Sequence, residues 1–345
     1  MRAVMYAEVG VLPTVVEVPD PECPADGVIL AVAATGVCRS DWHAWRGHDP
    51  VELPIIPGHE FSGTITTVGA DVSGWQVGER VTVPFVIGCG RCEFCLAGDA
   101  QVCPDQLQPG FTLPGAFAQQ VAIPRAQANL VRLPDSVSFV AAAALGCRFA
   151  TSFRAVVTHG QVQSGQWVAV HGCGGVGLSA VMIAKAFGAK VVAIDHSAEA
   201  LATASRLGAD EVVNGSEIVD VASEVVHRTG GGAHIGVDAI GHPAVAKASV
   251  SSLRRRGRHV QVGLLLGDAA HTALPMDRVV AQELAILGSH GMPAVDYPAM
   301  LELLVSGVLD PRRLVTRVVG LDEAGAALAA MDAPAGPGMT IVMPV

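Results

Sequence analysis

At 345 residues the chain has room for two domains, each with its own core. Its 22 Lys and Arg against 32 Asp and Glu leave a formal net charge of −10, which repels phosphate backbones and anionic lipid and argues against nucleic acid and membrane partners. The start, Met1–Glu8, lacks the apolar stretch of a secretory leader, so a cytoplasmic protein is expected, and its eight cysteines fit that reducing compartment better as metal ligands than as a disulfide framework.

Short alternating segments separated by Gly and Pro open the chain. Thr14–Val18, Val28–Ala33, Gly63–Val68 and Arg80–Val83 read as strands of an antiparallel barrel or sandwich. Among them stand Cys38, in Gly36-Val37-Cys38-Arg39-Ser40-Asp41-Trp42-His43, and His59, in Pro57-Gly58-His59-Glu60. Either residue alone reads as readily as a packing or loop residue.

The segment Cys89-Gly90-Arg91-Cys92-Glu93-Phe94-Cys95, followed by Cys103, narrows the chemistry most. A C-x2-C-x2-C-x7-C run lets four thiolates from tight turns converge on one tetrahedral ion, as a closed zinc site requires. Disulfides between cysteines two residues apart would be strained, and iron–sulfur clusters use other spacings.

The pattern changes near Val137. The Ala-rich stretch Ser138–Val157 predicts a helix and carries Cys147, which with Cys38 and His59 makes a set of two thiolates and one imidazole. Three such ligands leave a zinc position open, although spacing alone does not bring them together. Strand-like and helix-like segments then alternate: Trp167–His171, Val176–Phe187, Val191–Ile194, Ala198–Leu207, Ile235–Val237, Val245–Leu253 and His259–Val262, the pattern of βαβ units on a parallel sheet. Gly172-Cys173-Gly174-Gly175-Val176-Gly177 lies between the first strand and the first helix, where glycines permit a tight turn and close approach of a pyrophosphate. Asp195 ends the next strand, 18 residues after Gly177, where a carboxylate accepts from ribose hydroxyls and repels a 2′-phosphate, which favours NAD over NADP. The tail predicts a helix at Tyr297–Val305, a strand at Leu314–Val319, a helix at Leu321–Met331, a turn at Pro334–Gly338 and a last strand at Thr340–Val342.

Taken in order, the Cys38–His43 run, Gly58-His59-Glu60-Phe61-Ser62-Gly63, the four-cysteine lobe, Cys147 and the glycine motif make the chain closely similar to the zinc-dependent medium-chain alcohol dehydrogenases over nearly its full length. The resemblance implies an α/β protein. A GroES-like, mostly antiparallel catalytic domain would span 1–150 with a zinc lobe at 86–104, a Rossmann domain 151–288, and a return segment 289–345. It implies two zinc ions per chain, one structural on Cys89, Cys92, Cys95 and Cys103 and one catalytic on Cys38, His59 and Cys147. Glu60 matches a carboxylate close behind the catalytic metal, and Asp41 a partner of His59. Ser40 and His43 match a proton relay. Arg39 matches a pyrophosphate contact, while Thr151, Val176 and Gly263 fall among the positions that meet the cofactor. Trp45, Phe85 and Phe149 are candidate walls of the substrate pocket.

The chain departs from the family pattern at Met339 and Ala200, where relatives carry cations near the cofactor. The run Asp41–Trp45 is most similar to the yeast-type tetrameric enzymes, so a homotetramer is expected. The expected activity is reversible hydride exchange between NAD and an alcohol, giving an aldehyde or ketone. Alternatives are a polyol or formaldehyde/thiol-adduct dehydrogenase of the same family, or a zinc-containing nucleotide-binding protein without turnover.

Overall fold

The computed structural model describes residues 1–333 and 336–344. Two compact units emerge: Met1–Ala150 with the chain that returns from Gly291 and again from Met339, and Thr151–His290.

In the first unit β1 (Arg2–Met5) pairs antiparallel with β2 (Thr14–Glu17). The main sheet is organised around β3 (Val28–Val37), a ten-residue strand that Val and Ala side chains make buried on both faces. β4 (Glu60–Val68), β5 (Arg80–Thr82), β6 (Gln120–Ile123) and β7 (Val131–Arg132) follow, and β14 (Val315–Gly320) and β15 (Met339–Met343) complete the sheet from the tail. The order is β14-β15-β3-β4-β5-β7, with β6 also on β3. All pairings are antiparallel except β14 with β15. Val28, Leu30, Val32, Phe61, Ile65, Val81 and Ile123 fill one core. A second core gathers Val4, Tyr6, Trp45, Phe117, Leu321, Leu328 and Val342, so the final strand and the helix Leu321–Ala329 are built into the N-terminal unit.

The second unit holds a six-stranded, wholly parallel sheet: β8 (Trp167–His171), β9 (Lys190–Asp195), β10 (Glu211–Asn214), β11 (Ala233–Asp238), β12 (Leu253–Gln261) and β13 (Ala285–Gly288), in the order β10-β9-β8-β11-β12-β13. Numbered within the unit this is 3-2-1-4-5-6, a doubly wound sheet whose order reverses between β8 and β11. The expected fold class, a Rossmann sheet with a mostly antiparallel companion, is borne out.

Sequence patterning missed β1, β6, β7, β10 and β13, none longer than four residues. The single helix expected over Ser138–Val157 is three pieces, Phe139–Leu145, Cys147–Phe153 and a π-helical Arg154–His159, broken first at Gly146. Of the Pro334–Gly338 turn, Pro334 and Ala335 lie outside the described residues. Among the described residues no single helix is long and apolar enough to cross a membrane.

Candidate metal and cofactor sites

Cys38 caps the helix Arg39–Trp45, which follows β3, and His59 directly precedes β4. Asp41 ties these two places together. Its Oδ2 accepts from the Cys38 amide at 3.2 Å, and its Oδ1 accepts from the Gly58 amide at 3.0 Å and lies 2.8 Å from His59 Nδ1. All three residues are buried. With Nδ1 held on Asp41, Nε2 is the His59 nitrogen left for a ligand, and that atom is buried with no hydrogen-bond partner. The donor atoms of Cys38, His59, Glu60 and Cys147 all lie within 4.8 Å of one another. An orphaned buried nitrogen facing two thiols is a donor set that fits a zinc ion.

The electrostatics agree. Burial pushes the His59 imidazole toward neutrality, but Asp41 and the Cys38 thiol outweigh it and hold its pKa well above the ordinary value. Cys38 is lowered to about 6, chiefly by a hydrogen bond from Cys147, whose own thiol is raised by that same contact and by burial. The pocket thus favours a positive charge beside a thiolate, a place a metal cation takes by displacing protons.

Glu60 reaches the same cluster, yet its carboxylate is occupied. Its Oε1 accepts from the backbone amide and from Nε of Arg148, each at 3.0 Å, and its Oε2 pairs with Arg148 Nη2. The pair is fully buried, and Arg148 overrides desolvation to hold the carboxyl below its usual range. Two glycines make the space. A Cβ on Gly146 would lie 2.4 Å from Glu60 Cβ, and one on Gly36 would lie 2.4 Å from Glu60 Oε2. Arg148 was not singled out in the sequence. Its one signal is an Arg directly after a ligand-type Cys inside an Ala-rich stretch.

The remaining expectations for this unit divide. The Phe85 ring meets His59 edge-on at 6.0 Å, and Phe111, not foreseen, does so at 5.3 Å. Phe149 is completely buried. Trp45, expected as a pocket wall, belongs instead to the core with Val4, Phe117 and Leu328, its indole donating to the Val11 carbonyl, because the helix Arg39–Trp45 turns that face inward. Ser40 is half-buried next to Cys38, and His43 pairs with His48. Arg39 donates to the Met331 carbonyl at 2.7 Å and lies over the Trp42 ring, while Met339 is buried.

The four lobe cysteines converge as a closed set, their sulfurs within 4.8 Å of one another. Cys89 to Cys95 is 3.9 Å and Cys92 to Cys103 is 3.7 Å. Four sulfurs about 2.3 Å from one ion at tetrahedral angles stand about 3.8 Å apart. None of the described cysteines is disulfide-bonded. Turn amides support the cluster: Cys89 N donates to Cys103 Sγ and Cys92 N to Cys89 Sγ, both at 3.3 Å.

In the second unit Gly172 adopts φ +95° after β8, and Gly174 caps the helix Gly175–Ala186. A Cβ on Gly177 would lie 1.7 Å from the Gly172 carbonyl oxygen, so the turn requires glycine there. Val176 is partly exposed, and its carbonyl accepts from Ser152. Asp195 sits beside the motif: Oδ2 accepts from the Cys173 amide at 2.6 Å and Oδ1 from the Ser197 amide at 2.8 Å. Gly263 lies against the loop after β11, where a Cβ would meet Gly241 N at 2.1 Å. Thr151 is buried in the helix Cys147–Phe153. This N-terminal helix end beside a carboxylate can hold a dinucleotide.

Comparison with known proteins agrees with this geometry. A family profile described as zinc-binding dehydrogenase matches residues 175–306, and one described as alcohol dehydrogenase GroES-like domain matches residues 24–135. An alcohol dehydrogenase of Geobacillus stearothermophilus is 38% identical over 295 residues, covering 84% of this chain and 85% of that protein. A sorbitol dehydrogenase of Bacillus subtilis is 34% identical, covering 88% and 86%. The solved structure of alcohol dehydrogenase TADH from Thermus sp. ATN1 superposes with a TM-score of 0.92 at 30% identity, covering 99% of both chains. Two thiolate clusters, a glycine turn on a doubly wound sheet and these likenesses across nearly the whole length place the chain in the zinc-binding medium-chain dehydrogenase/reductase superfamily.

Proposed function

We propose that the chain is a zinc-dependent alcohol dehydrogenase that exchanges hydride reversibly between NAD and a small primary or secondary alcohol, giving an aldehyde or ketone. The observation that carries this reading is a three-donor set, Cys38, His59 and Cys147, whose fourth neighbour Glu60 is held by Arg148, so that a zinc ion on the three would keep a fourth position for a substrate oxygen. Bound there, zinc supplies a Lewis acid that makes a hydroxyl proton easier to remove, and NAD supplies the hydride acceptor.

The chain's own groups do the rest. Asp41 orients His59. Phe85 and Phe111, edge-on to that imidazole, would shield it from water. Ser40 takes the substrate proton and His43, nearer the surface, delivers it to solvent. Gly172, Gly174, Gly175 and Gly177 give the pyrophosphate its backbone cradle, with Thr151, Val176 and Gly263 along the cofactor, Asp195 at the ribose and Arg39 as the cation. On this reading 1–150 with 289–345 forms the catalytic domain and 151–288 the cofactor domain, the lobe ion is structural, and the enzyme is a cytoplasmic homotetramer.

A second reading, a polyol dehydrogenase, is favoured by the sorbitol dehydrogenase relative. Primary, secondary, aromatic and polyhydric alcohols, each followed by NADH absorbance, separate the two. Turnover confined to polyols selects the second reading. NAD binding with no alcohol turned over would leave only a zinc-containing nucleotide-binding protein. Ser40→Ala should cost far more activity than His43→Gln, because solvent can replace a histidine at the end of the relay but not the hydroxyl that takes the proton first. Equal losses would reverse the assigned order.

A further inference from the structure

Outside the two thiolate clusters, one pair of metal-binding side chains is already arranged. The helix Arg39–Trp45 ends in a turn through Gly47, at φ +73°, that brings the chain back over its own last residues. The amides of His48 and Asp49 both donate to the His43 carbonyl, at 2.9 and 3.3 Å. This turn lays two imidazoles side by side with their Nδ1 atoms 3.1 Å apart. Trp42 meets both rings edge-on, with centroids 5.0 and 5.2 Å away, so each ring is packed in its present orientation.

Two imidazole nitrogens at this distance have two uses. Sharing one proton, they form a hydrogen bond; with that proton displaced, they present two lone pairs to a cation. Nitrogens about 2.0–2.1 Å from one ion stand about 3.0–3.4 Å apart across octahedral or tetrahedral angles. The observed separation therefore already has the bite of a chelate, and little ordering remains to be done on binding. The surroundings keep His43 available at neutral pH. Burial, then His48 and Arg39, hold the His43 pKa below its ordinary value, with Asp49 opposing them. Asp49 also offers a negative neighbour, and the chain's net charge of −10 draws cations toward its surface.

We propose that His43 and His48 form an auxiliary, inhibitory site for a transition-metal dication of the Zn²⁺ class, with two imidazole ligands and water completing the shell. The inhibitory part rests on the reading of His43 as the proton exit. An ion held on the pair sets positive charge where a proton must pass. Because solvent can stand in for His43, inhibition is partial, with the activity of His43→Gln as its floor.

The test uses the fully zinc-loaded enzyme titrated with further Zn²⁺, binding followed by calorimetry and activity by NADH absorbance. The native protein should take up one more Zn²⁺ per chain in the micromolar range while activity falls to the level of His43→Gln. His48→Gln, altered at an exposed position, should keep full basal activity, bind the extra ion at least about tenfold more weakly and escape inhibition. Binding should tighten from pH 6 to pH 8, as protons cease to compete for the His43 imidazole beside Arg39 and Asp49. Equal binding by native protein and His48→Gln would mean adventitious uptake and overturn the site. Binding that depends on His48 but leaves activity unchanged would keep the site and overturn both its inhibitory role and the exit role of His43.

Discussion

His59 Nδ1 lies 2.8 Å from Asp41 Oδ1, and the same carboxylate reaches the Cys38 amide, so one acid fixes two candidate ligands that are 21 positions apart. Asp41→Asn should therefore weaken metal binding at the Cys38–His59–Cys147 site by about 10–100-fold while the lobe keeps its ion. Competition with a coloured chelator reads both sites. Unchanged affinity would show that Asp41 serves the fold alone.

Arg148 meets Glu60 through three hydrogen bonds in a fully buried place. Arg148→Met strands that carboxylate and should cost about 3–5 kcal/mol of stability. Adding Glu60→Gln removes the stranded charge and should restore much of the loss. Urea unfolding of the two variants decides it, and a single variant as stable as the native protein would contradict the account.

Much of this was legible in the sequence because the carriers are local. The lobe cysteines fall within 15 positions, and the glycine turn announces itself between a strand and a helix. The partnership of Glu60 with Arg148 spans 88 positions and leaves no periodicity to read. Trp45 misled for the opposite reason. It sits near the ligand run in sequence, but the helix Arg39–Trp45 directs it into the core. The close approach of Gly146 to Glu60, where a Cβ would lie 2.4 Å from Glu60 Cβ, joins residues far apart along the chain and leaves no local pattern to read.

His171 is buried, and burial, with His259 adding to it, pushes its pKa to about 3. The unfolded chain binds that proton near its ordinary value of about 6.5, so between these values the unfolded state holds more protons and stability falls as pH drops. His171→Gln should flatten the acid limb between pH 6 and pH 4, leaving the parts due to His43, His234, His259 and His290, which burial lowers in the same direction. Urea midpoints at pH 7 and pH 5 test this, and an unchanged slope refutes it.

Asp195 keeps its two oxygens on the Cys173 and Ser197 amides, placing a fixed negative charge at the glycine turn. The native protein should prefer NAD over NADP by a wide margin in kcat/KM. Asp195→Gly should narrow it mainly by weakening NAD, since removing repulsion builds no phosphate site. Equal use of both cofactors by the native enzyme would place Asp195 away from the ribose.

Cys103 is the fully buried member of the lobe set, and it accepts from the Cys89 amide. Cys103→Ser should lose one of two zinc ions per chain and lower Tm, leaving the other ion in place at first. Elemental analysis giving one zinc in the intact protein would refute the two-ion reading.

The contact distances at Gly36 and Gly146 make positions 36 and 60 a single locus of variation beside a fixed 146. Neither glycine lies at positive φ; a Cβ at 36 would meet the Glu60 carboxylate at 2.4 Å and Arg148 Nη2 at 3.1 Å, whereas one at 146 would meet Glu60 Cβ at 2.4 Å and its backbone Cα at 2.8 Å. A methyl group at 36 becomes admissible only when residue 60 has shortened, and once it is there a return to Glu at 60 is blocked, whereas 146 stays glycine whatever side chain stands at 60, because the Cα and Cβ of residue 60 themselves meet it. Substitutions at these sites must be accepted in a fixed order, so drift around the metal pocket is directional even where no ligand changes.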